Sequence, residues 1–254
     1  MQPVRTPPLP DAAAGWALFL DIDGTLLEIA PTPETVIVPA GLRELLVRLY
    51  DLAHGALALI SGRSLVQLDR MLAPLKVPMA GVHGFERRGA DGTAHHESGS
   101  AFPAGARERL TRVVREHPQL LLEDKGPALA LHYRLAPDLQ RIARHAADEA
   151  LQLAGRNYVL LDGKMVIELK PAAATKSGAI EAFLREPPFV GRVPIFIGDD
   201  RTDEAGFECV NRHGGLSIQV GATPIRGATY CLADVAAVRA WLEALARQAE
   251  GVRR

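Results

Sequence analysis

Apolar residues near the start of the chain come in short unbroken runs, each closed by a polar residue. Residues 16–20 read Trp-Ala-Leu-Phe-Leu and stop at Asp21. A run without alternation is the pattern of a strand buried on both faces, as in a parallel sheet covered by helices. Pro39 then opens a stretch in which Leu42, Leu45, Leu46 and Leu49 recur at helical spacing, with Gly55 standing where that helix would stop. A second apolar run at 56–60 ends at Ser61, Leu65, Leu68 and Leu72 mark another helix, and 77–82 reads as a third strand. This alternation of strand and helix predicts a doubly wound α/β domain.

The rhythm changes after Gly84. Residues 85–97 carry a turn signal at Ala90-Asp91-Gly92 and read as a hairpin. From about 105 to 170 the predicted order is helix, strand, strand, helix, strand, strand, with strands at 120–124, 128–133, 158–162 and 165–169. Gly126-Pro127 and Asp162-Gly163 supply tight turns, so the strands they join must pair antiparallel. The α/β pattern then resumes with a helix at 176–184 and a buried strand at 193–197 that ends at Gly198-Asp199-Asp200. A helix from about Asp203, a strand at 216–220, a short strand near Tyr230 and a helix bearing Val238, Trp241, Leu242 and Leu245 complete the chain. The expected fold is therefore α/β: a Rossmann-like doubly wound parallel-sheet core, residues 15–104 plus 171–254, interrupted by an α+β cap at 105–170. Residues 1–14, rich in proline, read as a flexible lead-in.

Composition narrows the function classes. Among 254 residues, 48% hydrophobic and 23% charged is ordinary for a well-cored chain of one large or two modest domains. The net charge of −1 and scattered basic residues exclude a nucleic-acid or polybasic membrane footprint. No apolar run approaches the roughly 20 residues that span a bilayer, and the first residues lack signal-peptide character. Cys209 and Cys231 form no CxxC pair and read as free thiols in a reducing compartment. A cytoplasmic protein is expected.

Chemistry is expected at the carboxyl ends of the strands, where open α/β sheets bind ligands. Four such ends carry polar residues: Asp21, Ser61, His83-Gly84 and Asp199-Asp200. Each alone could be a helix cap or a turn. Asp21-Ile22-Asp23-Gly24-Thr25, directly after a buried strand, resembles the first motif of the haloacid dehalogenase superfamily of phosphatases. Ser61, Lys176 and Asp199 match the remaining motifs in order. The resemblance implies that Asp21 is a nucleophile forming an aspartyl-phosphate and that Asp23 is the acid and base for the leaving oxygen and the water. Ser61 and Lys176 would hold the phosphoryl oxygens, and the Thr25 hydroxyl would donate to phosphate. Magnesium would be held by Asp21, the Asp23 carbonyl and Asp199, with Asp200 and Asp203 supporting.

Five further segments narrow the family: Ser61-Gly62-Arg63, Gly81-Val82-His83-Gly84, Glu123-Asp124-Lys125 with His132-Tyr133-Arg134, Glu168-Leu169-Lys170-Pro171, and the run from Gly198 to Glu204. In this order they resemble the trehalose-6-phosphate phosphatases, from about Trp16 to Arg247. The resemblance implies hydrolysis of a small sugar phosphate, as the final step of trehalose biosynthesis, with functional coupling to a trehalose-6-phosphate synthase. Glu123, Lys125 and Glu168 would hold the remote glucose unit, and Gly62, Arg63, His83 and Arg134 are further candidates for substrate contact. His83 reads equally as structural, His132 as packing within the cap, and His95 and His96 as surface residues. Ala205 and Lys170 depart from the usual pattern, touching only details of the cleft. Alternatives are a capped phosphatase for sucrose 6-phosphate or a phosphorylated mannosyl compound, a phosphomutase, and a silent regulatory homologue.

Overall fold

The computed structural model describes residues 5–10, 15–96 and 102–252. The chain divides into two compact units, residues 1–95 with 175–254, and residues 96–174.

The first unit is built on an eight-stranded sheet ordered β12-β11-β10-β1-β2-β3-β4-β5. Its strands are β1 (Trp16–Leu20), β2 (Leu57–Ile60), β3 (Met79–Gly81), β4 (Glu86–Arg88), β5 (Ala94–His96), β10 (Val193–Gly198), β11 (Leu216–Val220) and β12 (Tyr230–Leu232). From β12 to β3 every pairing is parallel; β4 then joins β3 antiparallel, with Gly81 opposite Glu86. The chain runs outward from β1 through β2 and β3, then returns to β10 on the other side of β1. That reversal makes the β1–β10 boundary the topological switch point, where a crevice opens at the strand ends.

Helices α1 (Leu42–Leu52), α2 (Leu65–Leu72), α5 (Lys176–Leu184), α6 (Glu204–Arg212) and α7 (Val235–Val252) belong to this unit. The predicted leucine stripes of α1 and α2 are the buried faces of those helices. Strand β1 is buried at all five positions, as its unbroken apolar run requires. Phe19 from β1 meets Phe183 of α5 and Phe189 of the following loop, with ring centroids 6.1 and 5.5 Å away, and the latter two rings lie 5.0 Å apart.

Strand β3 is shorter than the expected 77–82. Beyond Gly81, Val82 and His83 take φ of 46° and 55°, so the chain leaves the extended region before Val82. The expected hairpin is present, though its end at Glu97 lies outside the described residues. Of the lead-in, residues 5–10 are anchored: the Arg5 carbonyl accepts from the Cys231 amide, and the carbonyls of Pro7 and Pro10 accept from Trp241 and Gln248. Both cysteines are free thiols. Among the described residues no helix is long and apolar enough to cross a membrane.

The second unit is an antiparallel sheet ordered β6-β7-β9-β8, made from β6 (Leu121–Asp124), β7 (Leu129–His132), β8 (Tyr158–Gly163) and β9 (Val166–Pro171). Helices α3 (Ala104–Glu116) and α4 (Gln140–Ala154) pack with its Leu129, Leu131, Ile167 and Leu169. The buried stripe of α4 is Ala143, Ala146, Ala147 and Ala150, small residues that let α3 and the sheet approach closely. The alternate positions of β6, β7 and β9 (Glu123, Ala130, His132 and Glu168) therefore lie on the other face of the sheet.

The aromatic trio sets a stability prediction. Phe183→Ala should destabilise the fold by about 3–5 kcal/mol. Urea denaturation should show a lower midpoint at unchanged m. A loss below about 1 kcal/mol would mean that the site collapses freely and the trio carries little.

Candidate active site

Asp21 stands at the tip of the central strand, and its amide donates to the Ile197 carbonyl at 3.0 Å, extending the β1–β10 ladder through Asp21. The chain then folds sharply: Leu26 and Leu27 amides both return to the Ile22 carbonyl, and the Gly24 amide reaches Leu27 at 2.7 Å. Gly24 has φ of 85°, and a Cβ there would lie 2.0 Å from Asp199 Oδ2. The glycine is thus needed twice, for its backbone and for the room it leaves Asp199.

Lys176 is the first residue of α5, whose N-terminus is capped by the Thr175 hydroxyl accepting from the Gly178 amide at 3.1 Å. Its ammonium donates to Asp21 Oδ1 at 2.6 Å and to Asp203 Oδ1 at 2.5 Å. Asp203 is fully buried, and its other oxygen accepts from the amides of Asp199 and Asp200, each at 3.0 Å. Gly198 makes this possible, because a Cβ on it would meet the Asp203 carboxyl carbon at 2.4 Å. Asp203 therefore ties the lysine to the strand end that carries Asp199. Asp200 caps the following turn, accepting from the Arg201 amide at 2.6 Å.

Carboxylate oxygens of Asp21, Asp199 and Asp203 lie within 4.8 Å of one another, all in buried residues. Burial, followed by the negative neighbours Asp203 and Asp199, pushes the Asp21 carboxyl well above the usual range against the opposing pull of Lys176. For Lys176 the desolvation that disfavours its charge is outweighed by Asp203 and Asp21, so its pKa is raised. Three buried acids against one ammonium, all with hard oxygen donors, fit a hard divalent cation. Since the Asp203 oxygens are engaged with Lys176 and two amides, Asp21 and Asp199 are the carboxylates suited to hold it.

Around this centre the Thr25 hydroxyl donates to Asp21 Oδ2 at 3.3 Å, and buried Ser61 accepts from the Arg63 amide at 3.1 Å. Arg63 forks onto Asp23, with two nitrogens each 2.7 Å from a carboxylate oxygen, and also donates to the Pro33 carbonyl at 3.0 Å. Its charge is thus spent on the proposed acid–base residue. His83 is buried, and a Cβ on Gly62 would meet its ring at 2.8 Å, so Gly62 makes room for the imidazole beside Ser61.

The second unit holds its own polar cluster. In the strand register Glu123 lies opposite Ala130, and Ala130 opposite Glu168. The small alanine between them leaves space for Lys125, whose ammonium is 2.7 Å from Glu168 and 4.0 Å from Glu123. His132 Nε2 lies 2.9 Å from Glu123, so this histidine belongs to the cluster, a role beyond the packing expected of it. The hairpin register held the signal: His132 is two residues past the partner of Glu123 and faces the same way. Arg134 stands elsewhere, donating to the Lys164 carbonyl at 2.6 Å in the β8–β9 turn. Buried Lys170 donates to the carbonyls of Pro171 and Ala174, bracing the turn that precedes Lys176.

Removing the shared ammonium should expose the strain in the acidic centre. Lys176→Met should lower stability by about 3–5 kcal/mol in cation-free buffer, the scale for breaking a buried ion pair. Urea denaturation with a chelator present measures it. A change under about 1 kcal/mol would show that the acids are held neutral without the lysine.

The trehalose-phosphatase family profile matches residues 19–236. A probable trehalose-phosphate phosphatase of Sinorhizobium fredii is 46% identical over 232 residues, covering 91% of this chain and 88% of that protein. The trehalose-6-phosphate phosphatase of Escherichia coli is 44% identical over 235 residues, covering 92% and 88%. The crystal structure of a trehalose-6-phosphate phosphatase related protein superposes with a TM-score of 0.77 at 30% identity over 93% of this chain and 99% of that one. A HAD-superfamily phosphatase from Bacteroides thetaiotaomicron shares the fold alone, at TM-score 0.61 and 15% identity over 91% and 94%. The chain belongs to the trehalose-phosphatase family.

Proposed function

We propose that this protein is a magnesium-dependent phosphatase that hydrolyses trehalose 6-phosphate to trehalose and inorganic phosphate. The observation that carries the reaction class is Asp21, at the tip of the central strand, held 2.6 Å from buried Lys176 and gathered with Asp199 and Asp203. The Asp21 carboxylate attacks phosphorus in line, the bond to the sugar oxygen breaks, and Asp23 gives that oxygen its proton. Water then attacks the aspartyl-phosphate, returns a proton to Asp23 and frees phosphate. Arg63 aims the Asp23 carboxylate through its two-nitrogen fork. Lys176 and Ser61 hold the phosphoryl oxygens. Asp21, the Asp23 carbonyl and Asp199 would hold the magnesium ion, which would supply positive charge to offset an anionic ester among three acids.

Selectivity is assigned to the second unit. Glu123 and Glu168 accept and Lys125 donates, a combination suited to sugar hydroxyls, while His132 orients Glu123. Lys176, Asp23 and both metal acids are present, which separates this chain from a silent regulator. Coupling to a trehalose-6-phosphate synthase that supplies the ester, and a cytoplasmic location, belong to the same proposal.

Phosphate release from trehalose 6-phosphate, sucrose 6-phosphate and glucose 6-phosphate at equal concentration with magnesium tests the reading. Strong preference for the first, abolished by a chelator, is expected. Equal or reversed rates would keep the chemistry and overturn the substrate; no release from any ester would overturn the phosphatase itself. Asp21→Asn should lower turnover by more than about 10³-fold with the fold intact. Glu168→Ala should lower kcat/KM for trehalose 6-phosphate by about 10–100-fold, the worth of hydrogen bonds to a charged group. Unchanged selectivity in that variant would remove the cluster from substrate recognition.

A further inference from the structure

A second group of ligand atoms lies in the first unit among residues that the proposed reaction does not use. Glu181 of α5 faces Cys209 of α6 and His213 at the C-terminal end of α6. Glu181 Oε1 lies 3.4 Å from Cys209 Sγ and 3.1 Å from His213 Nε2, and one atom from each residue falls within 4.8 Å of the others. Cys209 and His213 are four residues apart, so α6 presents both on one face, and α5 supplies the carboxylate.

These separations are those of a coordination polyhedron. Bonds of about 2.3 Å to sulfur and 2.0 Å to nitrogen and oxygen at tetrahedral angles place sulfur and oxygen about 3.5 Å apart, and nitrogen and oxygen about 3.3 Å apart. Two of the three edges are therefore already at bonding length. The third closes by rotation of the His213 side chain, which is 41% exposed. The thiol is wholly buried, the carboxylate half-buried and the imidazole exposed, so the site is open to solvent on the histidine side. Arg212 reaches Glu181 at 3.4 Å but is itself 60% exposed and can turn away into water.

We propose that Glu181, Cys209 and His213 form a site for a borderline-soft divalent cation of the Zn²⁺ class, with water as fourth ligand, tying α5 to α6. Thiolate and imidazole ligands select against magnesium, so the site differs in chemistry from the acidic centre at Asp21. Binding replaces the S–H bond with a sulfur–metal bond and releases that proton to solvent, while His213 binds through the ring nitrogen that carries no proton and Glu181 through a carboxylate oxygen. Burial and the neighbouring Glu181 push the free thiol up to about 12, so the proton is present to be displaced at neutral pH. The cation would pin together α5, which begins at Lys176, and α6, which follows Asp203.

Cobalt is the probe, titrated into the intact chain with magnesium in excess to occupy the acidic centre. A thiolate-to-cobalt charge-transfer band in the near ultraviolet, tetrahedral visible bands and one proton released per ion are expected. His213→Ala, an exposed change, should weaken binding by more than about tenfold, since even outer-shell partners of metal ligands are worth 10–100-fold. Cys209→Ser should abolish the charge-transfer band and leave phosphate release with magnesium unchanged. No band in the wild-type chain overturns the proposal, as does a band that survives Cys209→Ser or is indifferent to His213→Ala. The spectrum is read without catalysis, so its failure is separate from failure of the phosphatase reading.

Discussion

The first unit depends on one buried ammonium. Lys176 is nearly inaccessible and sits between Asp21 and Asp203, with Asp199 close by. Like charges brought together away from water repel strongly, and no side-chain packing can offset that alone. The fold answers by feeding the lysine in from the first residue of a capped helix and by spending every oxygen of Asp203 on the lysine and two amides. What remains is an acidic pair at a strand end, ready for a cation and a phosphate ester. Both halves of the sheet are needed, because Asp21 comes from β1 and Asp199 from the end of β10 on the far side of the switch point.

Backbone geometry around that centre follows from the same crowding. Gly24 and Gly198 are bare because Asp199 and Asp203 lie where their side chains would be. Gly62 gives way to His83, and Val82, His83 and Gly84 all take positive φ, which ends β3 and turns the chain in beside Ser61. A β-branched residue in that conformation is uncommon and persists only where surrounding contacts hold it, here the Val82 amide on the Arg63 carbonyl and the His83 amide on the Ser61 carbonyl.

Asp21, Asp23, Lys176 and Asp199 were legible in the sequence because each is attached to a strong local signal, a buried strand end or a helix start. The alternation of strands and helices was legible for the same reason. Directions in space were not. Arg63 read as a substrate contact, since nothing in Ser61-Gly62-Arg63 shows that its fork turns back 40 residues to Asp23. Asp203 reads as a supporting acid in the sequence, and only the folded chain shows what it supports, Lys176, 27 residues away. The early end of β3 is not legible because Val82 has a strand-forming side chain and only the tertiary contacts force its φ positive. His132 is legible from the register of its hairpin, which puts it on the face of Glu123.

The two polar centres solve different problems with similar residues. In the first unit three acids share one lysine, and the imbalance is useful, because it draws in a cation and tolerates the anion that the cation brings. In the second unit two acids share one lysine across an alanine, with a histidine braced against one of them. There one ammonium lies between two carboxylates, a mix of donors and acceptors suited to neutral hydroxyls. Binding energy from a remote sugar raises the rate only as far as it is realised when the phosphoryl group is in flight. A rigid, sheet-borne cluster is the kind of element that can deliver it, since its geometry is set by strand register and not by loop conformation. Under the proposed function, chemistry and choice of ester are separable in this chain, since the two centres sit on different sheets and share no residue.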